Sequence, residues 1–156
     1  MPERPQKAQS ASITDMTEYV LPQHANAFGN VFGGQIMAWV DLCAAICAQR
    51  HTGRLCVTAF VDDLRFVNPV RVGEVVRLRA KVTAAFRTSI EIHVECSGED
   101  SVSGREWPCV DALVTFVALD ENRKPTLVPE LVLDTAELRA SQASGVARKE
   151  SRLSKP

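Results

Sequence analysis

The sequence predicts an α+β domain in which an antiparallel sheet wraps one long apolar helix. Two observations carry this expectation. Residues 36–48 read Ile-Met-Ala-Trp-Val-Asp-Leu-Cys-Ala-Ala-Ile-Cys-Ala, apolar around the whole circumference of a helix and interrupted by a single charge. A helix of that kind has no face to give to water. Downstream, segments at hairpin-like spacing alternate apolar and polar residues, the mark of strands with one buried side. With 156 residues there is room for one domain, and so small a domain buries a helix on all sides only by folding a sheet around it.

The elements follow in order. Residues 1–14 contain Glu3, Arg4, Lys7 and several Ser and Ala residues without an apolar run, and read as a flexible lead. Residues 16–21 form a short strand that Pro22 stops. The loop 23–32 takes its turn chemistry from Asn26, Gly29 and Asn30, and Gly33-Gly34 opens the helix. Alanine and straight-chain residues favour helix over 36–48, and thirteen residues exceed one ordinary strand. Gly53, just past Arg50 and His51, is the stop.

Residues 55–66 begin the first of four further strands, followed by turn signals at Asn68-Pro69 and Gly73. Across 75–82, Val76, Leu78, Ala80 and Val82 face one way and Arg77, Arg79 and Lys81 the other. After a break near Phe86-Arg87, Ile90, Ile92, Val94 and Cys96 alternate with Ser89, Glu91, His93 and Glu95. Residues 97–105 are polar with two glycines and read as a loop. Residues 109–119 are apolar on nearly both faces, as suits a strand with a neighbour on each side. Beyond Asp120, Pro125 and Pro129 precede a short amphipathic helix within 131–142, and the last dozen residues fray. The expected division is a lead over 1–14, the domain over 15–129 and a helical or flexible tail over 130–156.

Bulk properties exclude several classes. A formal net charge of -1 gives no general attraction to nucleic acid or anionic lipid, so neither is an expected partner. No apolar run approaches the roughly 18 residues of a membrane span, and the N-terminal segment lacks the apolar region of a signal peptide. The expectation is a soluble, cytoplasmic protein. The five cysteines, Cys43, Cys47, Cys56, Cys96 and Cys109, form no C-x-x-C pair and no disulfide framework. They read as small buried hydrophobes, and no set of residues has metal-ligand spacing.

Asp41 is the residue out of place. A carboxylate inside an apolar helix costs several kcal/mol unless it is paired, neutralised or facing a cavity. It either pairs with an Arg of the sheet or of a second subunit, or it serves a site. Gly33-Gly34 lies about two turns away, roughly 11 Å, where free amides and the positive end of the helix dipole stabilise a developing oxyanion. The same dipeptide also serves as a plain turn. Asn30 is open in the same way, as a cap or as a residue that holds water or a carbonyl oxygen. Together the parts fit acyl transfer to water.

The string His24-Ala25-Asn26-Ala27-Phe28-Gly29-Asn30-Val31-Phe32-Gly33-Gly34, followed by Met37, Trp39, Val40 and Asp41, closely resembles the signature of the hotdog-fold acyl-CoA hydrolases. Thr58-Ala59-Phe60-Val61-Asp62, with Phe66, Pro69, Val70 and Gly73, is similar to the family's second block. The resemblance, over roughly residues 15–129, implies a single hotdog domain with a five- to six-stranded antiparallel sheet. It implies a dimer with sheets joined edge to edge, assembled as a trimer of dimers, and active sites at the dimer interface. Asp41 would then be nucleophile or general base, Asn30 would position water or carbonyl from the other subunit, and the amide of Gly33 or Gly34 would polarise the thioester. The same likeness assigns CoA or substrate contacts to His24, Gly33, Phe66 and the turn Arg87-Thr88-Ser89. No cofactor is expected, because coenzyme A is part of the substrate. Cys43, Asn68 and Trp107-Pro108-Cys109 depart from the family pattern. A non-catalytic acyl-CoA binder and a hydratase or dehydratase using His24 as base are the alternatives.

Overall fold

The computed structural model describes residues 4–155. In chain order it has β1 (Gln6–Lys7), β2 (Thr14–Tyr19), α1 (Gly33–Thr52), β3 (Leu55–Phe66), β4 (Val75–Ala85), β5 (Ser89–Glu99), β6 (Glu106–Leu119), β7 (Glu130–Leu131) and α2 (Ala136–Leu153). Five strands make one antiparallel sheet in the order β2-β4-β5-β6-β3. The period-two reading of β4 and β5 holds on the inner face: Val76, Leu78, Ala80, Val82, Ile90, Ile92, Val94 and Cys96 are all buried. Against this face packs α1, through Ile36, Trp39, Val40, Cys43, Ala44, Cys47 and Ala48. Gly53 ends the helix in the left-handed region, at φ 65°, with its amide bonded to Gln49 O at 2.8 Å. There glycine is favoured because it has no Cβ to clash.

Three expectations change. First, α1 is not buried on all sides within one chain. Leu42 is 54% exposed and Ile46 37% exposed, with Asp41 beside them on the face turned away from the sheet. Five strands curve around one side of a helix and leave the other bare, so apolar residues on every side there require a second covering layer.

Second, residues 4–14 are docked rather than loose, because their polar side chains satisfy carbonyls at the end of the sheet. The Arg4 guanidinium donates to Val128 O and to Phe86 O, both at 2.6 Å, and Gln9 Nε2 donates to Val82 O at 2.8 Å. β1 pairs in parallel with β7. Residues 1–3 of the expected lead lie outside the described residues.

Third, the tail forms the eighteen-residue α2, longer than expected and starting later, and it covers part of the outer sheet face. Thr135 caps it, accepting from Leu138 N at 3.0 Å. Gly145 permits the close approach, since a Cβ there would overlap Ala84. Under α2 lies Glu91, fully buried despite its place in the polar row of β5. Arg148 donates to both of its carboxylate oxygens, at 2.9 and 2.7 Å, and Thr83 Oγ1 donates at 2.7 Å. Such complete pairing offsets a burial that would otherwise cost several kcal/mol. Among the described residues no helix is long and apolar enough to cross a membrane.

His51, at the end of α1, is buried, with Nε2 bonded to Pro129 O at 2.8 Å and Nδ1 without a partner among the described residues. Burial holds its pKa below the ordinary histidine value of 6.5, Pro129 O opposes this and Lys7 adds to the lowering. The unfolded chain therefore takes up a proton at a pH where the folded chain does not. The stability associated with neutral His51 is present above pH 6.5 and is lost as pH falls toward its lowered folded value. Urea unfolding at pH 7.5 and pH 5.5 should show this decline, and His51→Gln should shrink it.

Candidate active site

Asp41 stands on the open face of α1 because the helical period sets it a quarter-turn from the buried Val40, on the side of Leu42 rather than the core. Its Oδ1 accepts a hydrogen bond from Thr58 Oγ1 at 2.7 Å. Thr58 lies on β3 where the pairing with β6 shifts register between Thr58 and Phe60, and such a bulge re-aims side chains. No cation lies within ion-pair distance of Asp41 among the described residues. Its carboxylate is oriented by a hydroxyl and not neutralised by a charge.

The amides of Gly33 and Gly34 open α1, where a helix leaves its first N–H groups without partners. The first helical bonds run from Gln35 N and Ile36 N to Phe32 O, both at 3.1 Å. Space beside Gly34 is open, and Gly33 faces the Phe66 ring. About 10 Å of axial rise separates Gly34 from Asp41. One carbonyl group cannot lie about 3 Å from both, so the amides and the carboxylate of a single chain do not meet at one reacting atom.

A cavity of about 330 Å³ is walled by Asn26, Asn30, Gly33, Phe66, Cys109 and the segment 67–70. It brings three of the expected residues together (Asn30, Gly33 and Phe66) and leaves Asp41 outside its wall. Asn26 is the better-oriented amide. Its Oδ1 accepts from Phe28 N at 2.9 Å and Asn30 N at 3.1 Å, which fixes the carboxamide and leaves its NH₂ free to donate. Gly29, at φ 79°, closes this loop in a conformation that favours glycine. The Asn30 backbone bonds to Asn26 and bridges to Arg71, while its side chain makes no hydrogen bond among the described residues.

The remaining expected residues lie apart. His24 Nδ1 accepts from Leu21 N at 3.0 Å and its ring meets Trp39 edge-on at 5.0 Å, so the nitrogen that a base would use already holds the loop. Arg87 and Thr88 lie in the turn between β4 and β5, and Ser89 opens β5. Ala118 N and Val128 N donate to the carbonyls of Thr88 and Arg87, at 3.0 and 2.9 Å. Lys149 Nζ lies 3.5 Å from Ser89 Oγ. A larger cavity, about 610 Å³, opens beside His93, Glu95, Trp107 and Asp111 and holds none of the expected residues. Among the described residues no group of His, Cys, Asp or Glu is placed to hold a metal.

The thioesterase superfamily model matches residues 28–104. An acyl-CoA hydrolase from Staphylococcus aureus, solved in complex with butyryl coenzyme A, coenzyme A and coenzyme A disulfide, is 32% identical with a TM-score of 0.86, over 95% of this chain and 90% of that one. This chain belongs to the thioesterase superfamily. A hexameric acyl-CoA thioesterase is 33% identical at a TM-score of 0.89, over 95% of each chain. Mouse acyl-coenzyme A thioesterase 11 is 38% identical over 138 residues, 88% of this chain but 23% of the mouse protein. The chain thus spans about a quarter of the length of the mouse and rat relatives it matches. The hotdog architecture expected from the sequence is the one these hydrolases share. The S. aureus hydrolase has also been solved with an Asp, an Asn or a Thr changed to alanine, the Asn fifteen residues before the Asp and the Thr seventeen after it.

Sequence reasoning gave Asn26 only a turn and Thr58 no role. Both lie inside the quoted motifs, but only the folded chain pairs Thr58 with Asp41 and points the Asn26 oxygen into its own loop. Asn26→Ala frees two backbone amides and should lower stability by about 1–2 kcal/mol. Asn30→Ala, which removes no side-chain hydrogen bond, should stay within about 0.5 kcal/mol. Urea denaturation of the two variants measures the difference.

Proposed function

We propose that this chain hydrolyses acyl-CoA thioesters to the carboxylic acid and free CoA, at a site shared between two copies. The observation that carries this reading is the Asp41 carboxylate, paired with no cation among the described residues, held by Thr58 and standing on an open apolar helix face. A structural ion pair would have supplied the cation. Coenzyme A and butyryl coenzyme A bound to the S. aureus hydrolase support the substrate class. We assign Asp41 as the nucleophile or general base, with Thr58 fixing one carboxylate oxygen so that the other faces the thioester or the attacking water.

The amide partner is better assigned to Asn26 than to Asn30. Asn26 lies fifteen residues before Asp41 and Thr58 seventeen after it, the spacing of the three residues changed in the S. aureus hydrolase. The Asn26 NH₂ and the amides of Gly33 and Gly34 then polarise the thioester carbonyl. His24 and Phe66 line the approach, and Arg87, Thr88 and Ser89 take the nucleotide end of CoA. No cofactor enters the reaction. The loop bond held by His24 Nδ1 disfavours a hydratase with that residue as base.

Because Asp41 and the amides of one chain are too far apart to share a carbonyl, a second copy supplies the missing half. The surface suits that partner. β3 is an edge strand of twelve residues with Leu55 75% exposed and Val57, Phe60 and Phe66 about half exposed. Beside it lie Leu42 and Ile46 of α1. A long apolar edge is a template for strand pairing, and joining two β3 edges covers it while setting two α1 helices face to face. Three such dimers make the hexamer, the assembly named for a relative of this chain. We place the protein in the cytoplasm, where its five free thiols stay reduced, in the turnover of fatty acyl-CoA.

Thiol release from a panel of acyl-CoAs tests the activity. Wild type should release CoA, Asp41→Ala should lose at least about a hundredfold and Thr58→Ala about tenfold, that is, roughly 2.7 and 1.4 kcal/mol. Equal rates for wild type and Asp41→Ala would remove the assignment. Assembly is tested separately by light scattering. Val57→Lys, which sets a charge in the β3 edge, should yield monomers and inactivate at the same protein concentration, and an active monomer would exclude the shared site.

A further inference from the structure

Cys96 and Cys109 sit side by side in the sheet at a place the thioesterase chemistry does not use. In the pairing of β5 with β6, Cys96 lies opposite Val110 and Ser97 opposite Pro108, so Cys109 is the extra residue of a bulge facing the gap between Cys96 and Ser97. Both thiols belong to the buried core. A bulge sets two residues of one strand against one of its partner, and neighbouring strands lie about 4.7–4.9 Å apart, so the register leaves Cys109 across from Cys96 at a spacing near the roughly 4.4–6.8 Å between Cα atoms that a disulfide spans.

The pair also stands where a small reagent arrives and where a change is felt. Cys109 lines the 330 Å³ cavity that holds Asn26, Gly33 and Phe66, and Cys96 lines the 610 Å³ cavity on the other side. Three consecutive residues of β6 suspend the wall of the smaller cavity. Trp107 Nε1 donates to Pro69 O at 3.1 Å, Asn68 Nδ2 donates to Pro108 O at 2.9 Å, and Val67 N donates to Cys109 O at 2.8 Å. Whatever moves Cys109 moves residues 67–69, and with them Phe66 against Gly33.

We propose that Cys96 and Cys109 form a modification site, oxidised by a hydroperoxide to an intrachain disulfide that reshapes the wall of the candidate substrate cavity. The Cys109 sulfur attacks the peroxide oxygen, the O–O bond breaks and the alcohol leaves with the thiol proton, giving a sulfenic acid. The Cys96 sulfur then attacks that sulfur, the S–O bond breaks and the oxygen leaves as water with the Cys96 proton. Two thiols are oxidised and one hydroperoxide is reduced. The neighbouring Cys96 thiol holds the Cys109 thiol below its ordinary pKa, while Cys109 and burial push Cys96 up. Burial pushes Cys43 up to about 12 and Cys47 up to about 11, so Cys109 is the readiest nucleophile of these thiols.

Hydrogen peroxide treatment of the full chain tests the site. Thiol titration after unfolding should fall from five to three, with the loss of two hydrogen masses, and dithiothreitol should restore both. Non-reducing digestion should link the peptides of Cys96 and Cys109. In Cys96→Ser no link should form and dimedone should trap the sulfenic acid on Cys109; Cys109→Ser should form neither. A link between other cysteines, or five thiols surviving the treatment, overturns the proposal. The effect on the cavity rests on the thioesterase reading. Oxidation should raise KM for acyl-CoA in wild type and leave Cys96→Ser unchanged, and a formed disulfide with unaltered KM would refute the reshaping. Should the chain release no CoA at all, the mass and thiol counts still decide the modification.

Discussion

A helix shows one face to a sheet and another away from it, and α1 has no polar face for the second role. Val40, Cys43, Ala44 and Cys47 take the inner face and are fully buried. The same period carries Asp41, Leu42 and Ile46 to the reverse, where they stay exposed among the described residues. This single constraint organises the molecule. The inner contacts build the core, the outer ones leave apolar surface that needs another layer, and beside that surface stands the Asp41 carboxylate held by Thr58.

The sheet is asymmetric for a related reason. Its inner face is uniform, whereas its outer face is divided. Where α2 lies across β4 and β5, Glu91 is buried and paired with Arg148, and Gln142 exchanges two bonds with the backbone of Ala85, both at 2.9 Å. Beyond the reach of α2 the outer face stays polar, with Arg77 bonded to Glu106 at 3.0 Å. Exposed pairs of that kind add little, typically under about 1 kcal/mol. The stability of the outer face is concentrated under the helix, where water is excluded.

What could be read in advance follows the range of the interactions. Strand alternation and the glycine stop of α1 are local, so β3 and the inner rows of β4 and β5 were legible from the chain. Asp41 was legible because a carboxylate conflicts with its immediate neighbours. The burial of Glu91 was not, since its partner Arg148 is fifty-seven residues away and the alternation of β5 places it on a water-facing row. Nor was the docking of residues 4–14, which rests on Arg4 reaching carbonyls at Phe86 and Val128. Asn26 and Asn30 share a loop and a residue type. What separates them is the direction of one carboxamide oxygen, which composition and spacing do not encode.

The axial distance between the opening glycines of α1 and Asp41 has a kinetic meaning. On the proposed reading, a rigid rod carrying an electrophilic grip at one end and a carboxylate at its middle assembles reaction centres only in pairs, two for each encounter of two identical rods. Under the shared-site reading a lone copy carries the parts of both centres and completes neither. Turnover then scales with the square of protein concentration when copies are scarce and becomes linear once they are paired, so cellular abundance itself sets the specific activity of each polypeptide.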